Sequence, residues 1–338
     1  MSPRTVAPPV DPAAEHAAVR GAVGIVDRSD LGAVEVTGRD RAAFLHALLS
    51  NDVTSLAPGH GCRATLLDVH GKVQVLLRLL VLDDRILVIT PPDQADATEQ
   101  ALDKYLFSEK AYLANVTGQY AIAMLAGPQA LALAERIGGA RPGESPWSHT
   151  TGTIGDASVR LVRGSAETGA PEVWLISAAA DGERVREAAE RAGARPVGRE
   201  AFESLRIEAG TAAFPDDMGP AVLLPEVPFG DLVAQSKGCY IGQEVVVRIR
   251  DRGHVNRLFR GLLVDGDTVP APGSAVLSGD AEIGRVTSAA WSHTLERVIA
   301  LGFVRRQHAT AGTTVTVSTE HGARSATVAD LPMVPVTP

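Results

Sequence analysis

From Arg257 to the C-terminus the chain is cut into short β-forming segments, near 258–265, 282–289, 297–304, 313–318 and 323–328, with Gly, Pro and Asp between them. Short strands at that spacing cannot cover an apolar face singly and must close on one another. The pattern predicts a small all-β barrel or sandwich. Upstream, strands alternate with helices, which predicts an α+β body. The boundary is placed near 255, giving an α+β domain over 1–255 and a β-barrel domain over 256–338. A chain of 338 residues is too long for one small core and suits this division.

Within the body, Leu31 to Val36 alternates apolar and polar and reads as a strand. Thr37 with Asp40 three residues on is a variant capping box, and Phe44, Leu45, Leu48 and Leu49 follow at helical spacing, so a helix is expected over 38–50. Cys62 to Val69 and Val73 to Leu82 read as strands joined by the hairpin His70-Gly71-Lys72. Another strand, Ile86 to Thr90, ends at Pro91-Pro92, and a helix is expected from Asp93 to about Phe107. Tyr120 to Ala126 then repeats the strand, with Gly127-Pro128 opening a helix through Ala130 to Ile137. The strings V-E-V-T-G-R-D-R-A and I-A-M-L-A-G-P-Q-A read as one strand–turn–helix unit used twice, hence two similar sub-domains. Strands near 158–163 and 172–178 and helices near 11–22, 181–193 and 199–209 complete the body.

The net charge of −8 argues against tight, sequence-independent nucleic-acid binding, which depends on cationic contacts to phosphate. Two cysteines, Cys62 and Cys239, are too few for a disulfide framework and point to a reducing compartment. The stretch from Met1 to Glu15 is proline-rich, lacks an apolar centre and does not read as a secretory signal. Val73 to Leu82 is too short to span a bilayer and carries Gln74 and Arg78. The expectation is a cytoplasmic protein. Only four lysines stand against 28 arginines, which singles out Lys72 and Lys237.

The most specific string is Lys237-Gly238-Cys239-Tyr240-Ile241-Gly242-Gln243-Glu244. Its glycines permit backbone conformations closed to other residues. An ammonium two residues from Cys239 would favour the reactive thiolate, while Gln243 and Glu244 add an amide and a carboxylate. A turn with a buried, inert cysteine is the alternative, because Cys is among the most buried residue types. No Cys/His spacing suits zinc or an iron–sulfur cluster.

This string resembles the K-G-C-Y-x-G-Q-E signature of the YgfZ-like branch of the glycine-cleavage T-protein superfamily. The likeness continues through Val247-Arg248, Gly253 and Arg257-Leu258. Asp68-Val69-His70-Gly71-Lys72 resembles the family's D-x-x-G-K hairpin, and Ser204 to Gly210 resembles its L-R-x-E-A-G helix end. The resemblance implies a ring of sub-domains around a central tetrahydrofolate cavity, with a C-terminal β-barrel. It implies a folate-binding accessory protein in the assembly or repair of iron–sulfur proteins, including enzymes that modify tRNA. Its ligand would be tetrahydrofolate or a derivative, and its partners iron–sulfur client proteins.

The other reading is a folate-dependent one-carbon (aminomethyl) transferase. T-proteins carry an acid in the strand after the hairpin, where Val75 and Leu76 stand here, and neither can handle a proton. They hold the pterin with a glutamate near the position of Trp174, which could stack on a ring or serve as core. The expected site is therefore Cys239 and Lys237 for chemistry, and Arg206, Glu208, Trp174, Tyr240, Gln243 and Glu244 for the ligand. Asn51-Asp52 is read mainly as helix-end punctuation, Asp216-Asp217 stands where T-proteins have a folate-facing pair, with a solvated loop as the alternative, and His46, His60 and His254 are read as surface. The proline-rich segment 211–236 is expected to be a long, stiff loop that delivers the chain to Cys239.

Overall fold

The structure, a computed structural model, describes residues 11–336; the proline-rich stretch before Asp11 lies outside them. Strands are β1 (Gly24–Asp27), β2 (Leu31–Thr37), β3 (Gly61–Leu67), β4 (Val73–Val81), β5 (Arg85–Pro92), β6 (Tyr112–Asn115), β7 (Tyr120–Ala126), β8 (His149–Ile154), β9 (Ala157–Arg163), β10 (Glu172–Ala178), β11 (Arg195–Val197), β12 (Arg257–Val264), β13 (Ala275–Ser278), β14 (Ala281–Ser292), β15 (Arg297–Arg305), β16 (Thr314–Thr319) and β17 (Gly322–Ala329). Helices are α1 (Pro12–Gly21), α2 (Arg41–Leu48), α3 (Ala95–Asp103), α4 (Ala130–Gly138), α5 (Gly182–Arg191), α6 (Arg199–Glu208) and α7 (Gln243–Arg252). None of the described helices is long and apolar enough to cross a membrane.

Two sheets build the body. One has the order β3-β4-β5-β2-β6, the other β11-β1-β7-β10-β9-β8. The chain begins in the second sheet, crosses to build the first, and returns, so β1 pairs antiparallel with β7 and parallel with β11. The repeated unit is visible as geometry. β2 leads through Gly38 (φ +93°) into α2, and β7 leads through Gly127 (φ +132°) into α4. Each of these strand–turn–helix units stands in a different sheet, one of five strands and one of six.

The expected capping box at Thr37 and Asp40 does not form. Thr37 ends β2, and the Asp40 carboxylate accepts a bond from Lys110 N at 2.8 Å instead of capping α2. The longer helices expected over 38–50 and from Asp93 to Phe107 shorten to α2 and α3, because the flanking residues serve the turns.

The C-terminal strands close into a six-stranded barrel, β12-β15-β14-β13-β16-β17. Five segments were expected there. The sixth, β13, spans four residues, too few to show alternation, and its pairing with β14 is broken by a register shift at Val276/Leu277. The barrel core is Leu262, Val264, Val276, Val298, Val304 and Val317 with their neighbours. A separate core, with Leu67, Leu76, Ile207, Met218, Leu224, Phe259 and Leu301, joins barrel and body.

The segment 211–236 is irregular apart from one 3-10 turn at Leu224–Glu226, and it is tied to the first sub-domain. Val73 N donates to Val222 O, Leu224 N to Gly71 O, and Ser50 Oγ to Leu232 O at 2.6 Å.

Candidate functional site

Two sequence motifs meet in space. In the β3–β4 hairpin, Asp68 Oδ1 accepts bonds from the N–H groups of His70 and Lys72, both at 2.9 Å. Gly242, at φ +79°, lies against this turn; a methyl group on it would meet Asp68 O at 2.4 Å and Gly71 Cα at 3.1 Å. The glycine is therefore required both for its left-handed backbone and for close approach. Gly242→Ala is expected to cost about 2 kcal/mol or more in a denaturant titration. Unchanged stability would mean that the hairpin and the loop do not touch.

Just past Gly242, α7 begins with Gln243, half-buried, and Glu244, exposed. Tyr240 is buried, and its hydroxyl has no partner among the described residues. Cys239 is exposed, and beside it Gly238 has open space. The alternative of a buried, inert Cys239 is thereby set aside on burial alone.

Lys237 is turned toward α2. Its Nζ donates to the carbonyls of His46 and Leu49, both at 2.5 Å, and of Asn51 at 3.3 Å, and it lies 5.0 Å from the Tyr240 ring centroid. It satisfies the orphan carbonyls at the C-terminal end of α2. Burial pulls its pKa down to about 8, although Asp52 and Cys62 favour the charged form. The thiol that senses this ammonium is Cys62, which burial and Asp52 push up to about 12. His46 is half-buried rather than a surface group, 3.0 Å from Asp52, while His60 and His254 are exposed.

Arg206 and Glu208, expected to line the ligand site, are built into two buried networks that fasten the barrel to the body. Arg206 donates to Asp217 Oδ2 and Thr211 O, both at 2.7 Å, to Glu203 Oε2 at 2.6 Å and to Ser288 Oγ at 3.0 Å. Asp217, for which the sequence offered a folate-facing position or a solvated loop, is instead fully buried and also accepts from Thr287 and Ser288, whereas Asp216 is exposed. Glu208, fully buried, accepts from His16 at 2.9 Å, Arg20 at 2.5 Å and Ser292 at 2.5 Å. Burial would raise its pKa, but these hydrogen bonds hold it down at about 2.

Trp174 leads to a cluster that the sequence reading missed. It is fully buried on β10, edge-on to Trp147 with ring centroids 5.4 Å apart. Arg28 and Arg78 stand over its ring, with guanidinium carbons 5.5 and 5.2 Å from the centroid, and Arg28 also covers Phe202 at 4.9 Å. Arg78 comes from β4, in the other sub-domain, and donates through Nε to Glu167 Oε1 at 3.0 Å; Arg28 donates to Glu167 Oε2 at 3.4 Å. Burial would raise the Glu167 pKa, but Arg78, Arg28 and Arg63 outweigh it and keep the group ionised.

Glu172, two residues before Trp174 on the same strand face, is pushed well above the usual carboxylate range by burial and by the Glu167 charge. Its Oε1 accepts from Thr168 N at 2.8 Å and Thr168 Oγ1 at 2.9 Å. Among the described residues, Glu172 Oε2, Trp174 Nε1 and Arg63 Nε are buried without partners. The cluster is tied to Glu208, because Arg20 also donates to Thr168 O at 3.2 Å. The pattern Glu-x-Trp, which puts an acid and an aromatic on one face of a strand, was the signal available in the sequence.

Val75 and Leu76 are buried, so β4 presents no proton-handling group at those positions. A cavity of about 540 Å³ lies elsewhere, between the 215–222 segment and the barrel, walled by Pro215, Asp216, Arg257, Phe303 and Arg305. No group of His, Cys, Asp and Glu among the described residues could hold a metal ion.

These features have counterparts in known proteins. Residues 11–237 match the GCVT N-terminal domain, and residues 257–335 match the glycine cleavage T-protein C-terminal barrel domain. The aminomethyltransferase of Frankia alni is 33% identical over 344 residues, covering 96% of this chain and 89% of that protein. A protein of Halobacterium salinarum named "Probable aminomethyltransferase" is also 33% identical, covering 94% and 89%. The crystal structure of aminomethyltransferase T of the glycine cleavage system from Bartonella henselae superposes with a TM-score of 0.86 at 22% identity, over 97% of this chain and 91% of that one. The closed barrel, the two-sheet body and both domain matches lead to one conclusion: this chain belongs to the glycine cleavage T-protein family and has its fold.

Proposed function

We propose that this chain binds a reduced folate against the cluster where its two sub-domains meet and acts as a folate-dependent one-carbon transferase. The observation that carries the reading is the set of unpaired buried atoms, Glu172 Oε2 and Trp174 Nε1, beside paired tryptophans and two arginines. An acceptor, a donor and guanidinium groups suit a heterocycle with a hydrogen-bonding edge and an anionic tail. The relatives named aminomethyltransferase support the same class.

Tetrahydrofolate, when bound, supplies the nitrogen that carries the one-carbon group. Trp174 Nε1 and Glu172 Oε2 would offer it a donor and an acceptor, and Arg28 and Arg78 would orient its negative charge. Because β4 lacks an acid, Glu172 is the group here that can hold a proton near neutral pH, while Glu167 stays ionised.

Titrating tetrahydrofolate should quench tryptophan fluorescence to saturation, and Arg78→Met should weaken binding about tenfold. Glu172→Gln should leave binding within about threefold and remove its pH dependence around neutrality. A flat titration at millimolar ligand would overturn the reading.

A second reading is favoured by the exposed thiol of Cys239. In it the chain is a YgfZ-like accessory protein that binds folate in the cytoplasm without aminomethyl transfer, and uses Cys239 in the assembly or repair of iron–sulfur client proteins, including enzymes that modify tRNA. One comparison separates the two. Turnover with aminomethylated carrier and tetrahydrofolate, unchanged in Cys239→Ala, supports the transferase. Absent turnover, with Cys239→Ala lowering iron–sulfur enzyme activity in a strain that lacks its own copy, supports the accessory role.

A further inference from the structure

Arg63, on β3, stands opposite Arg78, on β4, so both side chains leave the same face of the first sheet, with Cβ atoms about 5 Å apart. Two like charges placed this way destabilise a sheet unless something negative lies between or beside them.

The acids nearby leave these cations under-neutralised. Glu167 is buried and accepts from Arg78 Nε at 3.0 Å and from Arg28 at 3.4 Å. Against the effect of burial, Arg78, Arg28 and Arg63 keep it ionised, so three guanidinium groups share one buried carboxylate. Burial and the Glu167 charge push Glu172 toward its protonated form, so it adds little negative charge. The other acids in contact reach into solvent. Asp30, 3.8 Å from Arg28, has a side chain 59% exposed, and Asp231, 3.1 Å from Arg63, one 56% exposed. Water screens such pairs, and they contribute little. Arg20, which also reaches this loop at Thr168 O, is held by Glu208.

Asp231 takes only Nη1 of Arg63. On the other edge of the guanidinium, Nε is buried and has no partner among the described residues. That edge, Nε with Nη2, is a fork that a carboxylate accepts with both oxygens.

Burial falls along one line through these groups. Trp174 is fully buried, and the Arg78 guanidinium carbon is 5.2 Å from its ring centroid. The Arg78 side chain is 7% exposed and that of Arg63 is 13% exposed, ahead of the exposed Asp231. Asn51 Nδ2 fixes the outer end, donating to Arg63 O at 2.7 Å and to Asp231 O at 2.9 Å. A ligand whose ring edge meets Trp174 Nε1 and Glu172 Oε2 therefore has its way out past Arg78 and then Arg63. On the reading that a reduced folate occupies this cluster, we propose that Arg63 binds a carboxylate of its glutamate tail through the Nε edge, and that Asp231, on the opposite edge, opposes the tail by its charge. Arg63 and Asp231 then set how strongly the chain selects ligands by their tail.

Tetrahydropteroate has the same ring system without the glutamate, and it separates tail from ring. Fluorescence titration of the full chain should show tetrahydrofolate binding about tenfold tighter than tetrahydropteroate. Arg63→Met should erase this ratio by weakening tetrahydrofolate alone. Asp231→Asn, at an exposed position, should tighten tetrahydrofolate about threefold and leave tetrahydropteroate unchanged, because a repelling carboxylate is gone. Equal affinities in the natural chain overturn the inference and leave the folate site standing. So do equal losses for both ligands in an Arg63→Met chain whose circular dichroism shows it folded. An Asp231→Asn chain with no selective gain overturns it as well, whatever Arg63→Met does. Saturation by neither ligand overturns the folate site, and this inference with it.

Discussion

Arg206→Ala is expected to produce the largest loss of stability of any substitution at the predicted site residues, about 3–5 kcal/mol, because it strands a buried charge. Asp217 is fully buried and receives the Arg206 guanidinium at 2.7 Å. Removing the guanidinium leaves that carboxylate with the Thr287 and Ser288 hydroxyls and the Ala213 N–H, but without a cation. Thermal unfolding followed by circular dichroism should fall by about 10 °C. Arg206→Lys should recover only part of this, since an ammonium cannot reproduce the fork that reaches Asp217, Thr211, Glu203 and Ser288 together. The double change Arg206→Met with Asp217→Leu should be less damaging than Arg206→Ala alone, because the cost is that of the unpaired charge. A single-variant loss below about 1 kcal/mol would show that the network contributes little.

Glu208→Gln is the second large effect, and it is dependent on pH. The folded pKa of Glu208, about 2, lies below its ordinary value of 4.5. A carboxylate with a depressed folded pKa contributes stability that is present above the unfolded pKa and lost as pH falls through the folded one. The window therefore runs from about pH 5 down to about pH 2, and the contribution above it is about 3 kcal/mol. Stability of the natural chain measured against pH should decline through this window more steeply than that of Glu208→Gln, and the two curves should converge near its lower end. Parallel curves would mean that His16, Arg20 and Ser292 do not favour the ionised form.

Much of the architecture was legible in the sequence because it follows from local periodicity. Alternating residues marked β2, likeness to that unit marked β7, helical spacing of Phe44, Leu45 and Leu48 marked α2, and the Gly- and Pro-punctuated tail marked the barrel. The missed β13 and the overlong α2 and α3 share a cause. Element ends are set by what neighbouring segments do, as when Asp40 bonds Lys110 across the fold.

The candidate site was less legible. The chain shows Lys237 and Cys239 two residues apart, which suggested that one activates the other, yet the ammonium is committed to carbonyls of α2 nearly two hundred positions away in sequence. Arg206 and Glu208 matched a motif, but the motif carries no information about their partners Asp217, Ser288, His16 and Ser292.

By itself the sequence determined the class of fold, the body-then-barrel order and the need for glycine at 242, though not at 238, where the backbone is not left-handed and the space around it is open, because backbone periodicity and left-handed turns are properties of short segments. Only the tertiary structure decided which charges meet. Arg28, Arg78 and the stretch from Glu167 to Trp174 lie far apart along the chain, and they form one cluster because the two sheets close over them. The shifts of Glu167 downward and Glu172 upward arise from that closure, since burial and neighbouring charge exist only once the chain has folded.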